Sequence, residues 1–161
     1  MKGQVTEDTV VEVAANAVWE VYGSLEFVRL VNQLLSNVIG TVEVVEGDGS
    51  AGTILKVTFP PGSAVGVGCN YLKERVTKID DEKRIRVTEI IEGGFKDVGF
   101  DVYRVRSEMR EKDDKSSIIR STIEYEINGD KLADVASQLT TKPIELMAET
   151  IGKYLSQIKK D

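Results

Sequence analysis

Between Gly40 and Ile127 the chain alternates β-branched runs with short turn signals, and no turn is long enough to carry a crossover, so its strands must pair antiparallel with their sequence neighbours. Residues 41–45, 53–59, 70–79, 84–92, 98–109 and 117–127 read as strands. The turns are Glu46-Gly47-Asp48-Gly49-Ser50-Ala51-Gly52-Thr53, Pro60-Pro61-Gly62-Ser63, Asp80-Asp81-Glu82-Lys83, Glu92-Gly93-Gly94 and Glu111-Lys112-Asp113-Asp114. A parallel connection needs about a dozen residues or more, so the expected product is a continuous meander. Residues 5–13 alternate loosely and add a first strand, making seven in one sheet.

The segments on either side are helical. Val18, Trp19 and Tyr22 share a helical face, Gly23-Ser24 breaks that helix, and Ser24 can cap a second one carrying Leu25, Val28, Leu30, Val31, Leu34 and Leu35. At the other end Leu132, Val135, Ala136, Leu139, Met147, Ile151, Leu155 and Ile158 fall three, four or eight apart and predict one long amphipathic helix. Pro143 predicts either a kink or a helix start near Thr141. The fold class is α+β: a curved seven-stranded antiparallel sheet wrapped around a long C-terminal helix, with two short helices after the first strand, in one domain over residues 1–161. Four Phe, five Tyr and one Trp are few bulky side chains with which to fill the space between sheet and helix. That leaves room for an apolar cavity, the common form of a small-molecule site.

The glycine-rich first turn resembles a phosphate loop without its chemistry. Such a loop needs a Lys-Ser/Thr pair after its last glycine and a helix whose amides face the phosphates. Instead, Thr53 opens the β-branched run Ile54-Leu55-Lys56-Val57-Thr58-Phe59, so the loop reads as a strand-to-strand turn. A net charge of −6 and a pI near 4.9 oppose any broad hold on nucleic acid. The chain has no histidine, which removes Ser-His-Asp and Cys-His nucleophiles, His-ligated metals and the usual neutral-pH acid–base group. Cys69 is the single cysteine, so neither an internal disulfide nor a zinc site is expected, and a reactive role for it is not. No metal or organic cofactor is expected. No apolar run approaches the roughly 18 residues that span a bilayer, and residues 1–7 lack the apolar core of a secretory signal. A cytoplasmic monomer or weak dimer without membrane insertion is expected.

The element order and the glycine turn resemble the plant pathogenesis-related class 10 proteins, the Bet v 1 family. Several stretches are similar to its norcoclaurine synthase and norbelladine synthase branch. They are Val18-Trp19-Glu20-Val21-Tyr22, Phe59-Pro60-Pro61-Gly62-Ser63, Lys73-Glu74-Arg75, Asp81-Glu82-Lys83-Arg84, Ile91-Glu92-Gly93-Gly94 and Ser121-Thr122-Ile123-Glu124-Tyr125. The resemblance covers essentially the whole chain. It implies an enzyme of the lyase class that joins an aromatic ethylamine, dopamine- or tyramine-like, to an aldehyde by imine formation or Pictet-Spengler cyclisation. The alternative it leaves open is a non-catalytic carrier of a hydrophobic plant metabolite or hormone. The partner in either case is a small hydrophobic or aromatic molecule.

The resemblance also implies a site. The branch works with a tyrosine, a glutamate, a lysine and an aspartate. By motif the glutamate falls on Glu74, the lysine on Arg86, the aspartate on Val105 and the tyrosine on Leu72, with Tyr71 adjacent. Arginine cannot exchange protons or form a Schiff base as lysine can, but it can hold an oxyanion. Glu74 shares strand parity with Leu72 and Val76, so an inward face would desolvate its carboxylate and raise its pKa, as suits a general base. Arg86 alternates with Arg84 and Thr88, a spacing that taken alone describes a solvated face. The expected catalytic set is Glu74, Arg86 and Tyr103, with Tyr71, Leu72, Val76, Phe100, Val105 and Met147 as substrate-binding residues.

Overall fold

The computed structural model describes residues 1–63, 69–131 and 139–158. Seven strands form one sheet in the order β1-β7-β6-β5-β4-β3-β2, with every neighbouring pair antiparallel. They are β1 (Lys2–Val11), β2 (Thr41–Glu46), β3 (Ile54–Thr58), β4 (Tyr71–Asp80), β5 (Ile85–Gly93), β6 (Phe100–Asp113) and β7 (Ser116–Ile127). After β1 come α1 (Ala15–Tyr22) and α2 (Glu26–Leu35), and the chain's long helix is α4 (Lys142–Ile158). None of these helices is long and apolar enough to cross a membrane.

The meander is as the turn pattern predicts, and the differences are local. The first strand spans Lys2–Val11 instead of residues 5–13, because its ladder with β7 runs from Lys2 opposite Glu126 to Val11 opposite Ser117. The sixth strand begins at Phe100, two residues later than expected, and extends to Asp113. Residues Phe95–Val98 form a single helical turn, α3, between Gly94 (φ 52°) and Gly99 (φ 127°). Backbone angles of that kind are strained for any side chain, so the glycine pair sets where the strand can start. Pro143 introduces no kink: it lies in the first turn of α4, where its missing N–H has no helical partner to lose. Thr140 Oγ1 accepts the Lys142 amide at 3.2 Å at that start. Leu132, Val135 and Ala136 of the expected long helix lie outside the described residues.

Side-chain hydrogen bonds dock the short helices on the sheet. Ser24 Oγ donates to the Glu20 carbonyl (2.7 Å) and accepts the Glu26 amide (3.2 Å), closing α1 and opening α2. Asn32 on α2 clamps edge strand β2 by donating to the Val42 carbonyl (2.9 Å) and accepting its amide (2.7 Å). Trp19 Nε1 donates to Asp81 Oδ1 at 2.9 Å and ties α1 to the β4–β5 turn. In the glycine turn, Thr53 Oγ1 accepts the Gly49 amide at 2.8 Å and the Gly52 amide bonds the Val76 carbonyl at 2.7 Å. With the Ser50 amide bonding Asp48 Oδ1 and the Thr53 amide the Ser50 carbonyl, four of the turn's amides bond within the protein.

The C-terminal half of α4 buries Ala148, Ile151 and Leu155 against Val11, Val13, Met109 and Ile119. Gly152 lets the helix touch β1: a Cβ there would stand 2.8 Å from Val11 Cβ. Gly152→Ala should therefore overpack this contact and cost about 1–3 kcal/mol despite alanine's better helix propensity, read as a lowered Tm in a thermal melt.

Candidate functional site

Toward its N-terminus α4 stands off the sheet, and a cavity of about 130 Å³ opens beneath Ile144 and Met147. An engineered apolar cavity of about 150 Å³ accepts benzene, so this volume suits one aromatic ring. The sheet forms its floor. Strand alternation turns Leu72 and Glu74 of β4 inward, with Arg86, Thr88 and Ile90 of β5 and Tyr103, Val105 and Ser107 of β6. α1 contributes Tyr22, α2 contributes Phe27 and Val31, and α3 contributes Phe95.

The ladders sort the polar side chains into levels. Arg86 is opposite Ser107, which is opposite Ser121 on β7, and all three line the cavity. The next level pairs Thr88 with Val105, and beyond it Glu74 is opposite Ile90. Arg86 is 7% exposed, and its guanidinium carbon lies 4.6 Å from the Phe27 ring centroid, a cation–π contact. Tyr103 is 5% exposed and its ring stacks on Phe95 at 4.0 Å between centroids.

These groups perturb one another through the cavity. Burial raises the Glu74 carboxyl above its ordinary pKa, with the charge of Arg86 and the Thr88 hydroxyl pulling against it. Burial disfavours the Arg86 cation, and Glu74 and Tyr22 support it. The Tyr22 and Tyr103 hydroxyls are both pushed up by desolvation; Arg86 opposes the shift at Tyr22, whereas Glu74 adds to it at Tyr103. Glu74 is the one carboxylate among the described lining residues. Among the described residues no cluster of three or more His, Cys, Asp or Glu side chains is arranged to hold a metal.

Six of the nine residues read from the sequence meet at this cavity: Glu74, Arg86, Tyr103, Leu72, Val105 and Met147. Three do not. Tyr71 has the opposite parity to Leu72, and on the outer face its hydroxyl donates to Glu92 Oε2 at 2.8 Å while Lys56 Nζ sits 5.2 Å over its ring. Val76 faces inward but does not line the cavity; it packs with Val28 and with Leu55, which does. Phe100 lies behind the lining, edge-on to Phe95 and Tyr103 at 5.7 and 5.4 Å. Arg86 is not on a solvated face: Thr88 shares the cavity with it, whereas Arg84 precedes β5 and pairs with Glu111 at 3.3 Å. Cys69 donates to the Gly94 carbonyl at 3.3 Å, and burial raises its thiol pKa.

Sequence reasoning missed Tyr22, Phe27, Phe95, Ser107 and Ser121. The serines carried a signal: each holds an inward parity position otherwise occupied by Val105 and Met109, or by Ile119 and Ile123. Small hydroxyls in such rows mark a face that looks onto space instead of core. Tyr22 carried no separate signal: it shares a helical face with Val18 and Trp19, which are core.

Similarity to known proteins follows the same outline. Norbelladine synthase of Narcissus pseudonarcissus is 42% identical over 160 residues, covering 99% of this chain and 95% of that protein. S-norcoclaurine synthase 1 of Papaver somniferum is 36% identical over 156 residues, 96% of this chain and 66% of its own length. The structure of norcoclaurine synthase from Thalictrum flavum in complex with dopamine and hydroxybenzaldehyde superposes with a TM-score of 0.87 at 28% identity, covering 98% of this chain and 88% of that one. The model of the pathogenesis-related protein Bet v 1 family matches residues 1–157, nearly the full length of sheet, cavity and long helix, and the chain belongs to that family.

Proposed function

We propose that the protein is a cofactor-independent condensing enzyme that joins an aromatic ethylamine to an aldehyde in the cavity under α4. The observation that carries this reading is the convergence of Glu74, Arg86 and Tyr103, from three adjacent strands, on one largely apolar cavity. The 42% identity to a norbelladine synthase and the likeness to a norcoclaurine synthase holding dopamine and hydroxybenzaldehyde support the same substrate classes.

The chemistry needs one base and one oxyanion partner. The amine lone pair attacks the carbonyl carbon, and the carbonyl electrons move onto oxygen beside the Arg86 guanidinium, which holds the developing negative charge. Glu74 relays the two protons that the amine nitrogen sheds, the first to the oxyanion to give the hydroxyl and the second to that hydroxyl, which leaves as water and yields the imine. Where the amine's ring is electron-rich, a ring carbon can then attack the iminium carbon and lose its proton to the same carboxylate. The Tyr103 hydroxyl, kept protonated by burial and by Glu74, donates a hydrogen bond without competing as a base. Arg86 excludes a Schiff-base route at this position, and Val105 gives the ring an apolar wall.

Glu74→Gln should lower kcat/KM for tyramine or dopamine with an aromatic aldehyde by about a hundred- to ten-thousand-fold, while the affinity for the amine changes far less. Initial rates by chromatography check this against the uncatalysed background. If wild type gives no product above background and Glu74→Gln binds aromatic ligands as before, the cavity is a carrier's.

The pH profile follows from the Glu74 environment. The base must be ionised, and burial raises its pKa, so kcat/KM should climb with pH through a midpoint above the ordinary glutamate value of about 4.3. A profile flat from pH 5 upward would remove Glu74 as the base.

A further inference from the structure

The deep end of the cavity contains more hydrogen-bond donors than the condensation uses. Arg86, Tyr22, Ser107 and Ser121 are 7%, 3%, 6% and 3% exposed, and all four line the cavity. Apart from the Phe27 ring contact, none of these side chains has a hydrogen-bond partner among the described residues. Among the described residues the sealed and unpartnered side-chain polar atom is Ser116 Oγ, so the donors of these four side chains open onto the cavity and are satisfied only by what fills it. Four in one place, three of them in register across β5, β6 and β7, describe a receptor waiting for an acceptor.

We propose that this end of the cavity is a carboxylate subsite, so that the carbonyl partner the protein prefers is an aryl 2-oxo acid instead of a simple aldehyde. The inference rests on the condensing reading of the same cavity and adds the class of its second substrate. A guanidinium presents a planar fork that spans two oxygens, matching a carboxylate oxygen and the adjacent keto oxygen of a 2-oxo acid. The Ser107, Ser121 and Tyr22 hydroxyls supply donors for the lone pairs left over. A phenol fits less well: with a pKa near 10 it is neutral at physiological pH and offers one oxygen to a cation and three hydroxyls. The apolar ring then lies between Phe27 and Tyr103, toward Phe95.

The bonding balances as for the aldehyde. The amine nitrogen forms a bond to the keto carbon, the keto oxygen leaves as water after receiving two protons by way of Glu74, and the carboxylate is carried through unchanged. The cation that anchors the carboxylate also polarises the carbonyl, so one residue sets both orientation and reactivity.

The test compares phenylpyruvate with phenylacetone, which carries a methyl group where the acid has its carboxylate, by calorimetry on the whole protein without amine. Phenylpyruvate should bind at least about tenfold more tightly, a difference of about 1.4 kcal/mol. Arg86→Met should bring the two within about twofold of each other while phenylacetone binding persists, which also shows that the variant is folded. Should Arg86→Met fail to fold, the Ser107→Ala/Ser121→Ala double variant supplies the reading, weakening phenylpyruvate by about threefold or more and leaving phenylacetone unchanged. Equal affinities in wild type, a preference that survives Arg86→Met, or one left undiminished by the double serine variant, would overturn the proposal. Because binding is read without turnover, its failure alongside aldehyde condensation removes only the subsite; a carboxylate preference without any condensation removes only the enzyme.

Discussion

The cavity exists because α4 packs closely on the sheet in its Gly152 half and only loosely toward its N-terminus, where Ile144, Leu146 and Met147 are partly buried against the second core cluster. Gly152 brings its C-terminal half into contact with Val11, and Ala148, Ile151 and Leu155 fill the space against β1, β6 and β7. A straight helix pinned there must diverge from a twisted sheet at its other end, and Ile144 and Met147 reach across the gap without closing it. The space is thus a consequence of geometry at the opposite end of the helix. The two short helices complete the enclosure, with α2 held to edge strand β2 by the paired Asn32 bonds and α1 held to the β4–β5 turn by Trp19.

That wedge then governs the chemistry. A cation and a carboxylate placed on one apolar wall both lose hydration, and each becomes the other's main support. Among the described residues they form no closed salt bridge, so neither is neutralised by a direct contact, and Phe27 supports the Arg86 plane with its ring face. The arrangement costs the fold desolvation energy and keeps its polar groups available for a ligand. The tightly packed α4–β1 contact and the continuous seven-stranded ladder are what offset that cost.

Much of this was legible in the sequence, and the reasons are specific. Short turns forced the meander, and the parity of Leu72, Glu74 and Val76 turned Glu74 inward. Arg86 was harder, since Arg84, Arg86 and Thr88 look like any wetted strand face. Parity assigns residues to one side of a sheet without saying whether that side meets water, core or a cavity. Tyr71 illustrates the limit of motif matching: it neighbours the expected tyrosine position, yet one residue along a strand is the opposite face. The α3 turn and the Phe95–Tyr103 stack were invisible because they depend on where Gly94 and Gly99 place the backbone, and Val76 fell outside the site because cavity length is set by helix divergence.

The central claim is that Glu74 sits desolvated in the cavity, with Arg86 the one cation that acts on it among the described residues. Carbon-13 NMR titration of the glutamate carboxyls, with Glu74 assigned by its loss in Glu74→Gln, reads this without substrate or turnover. Glu74 should titrate above the ordinary value of about 4.3, and move higher still in Arg86→Met. A midpoint at or below the ordinary value, unmoved by loss of the guanidinium, would contradict it.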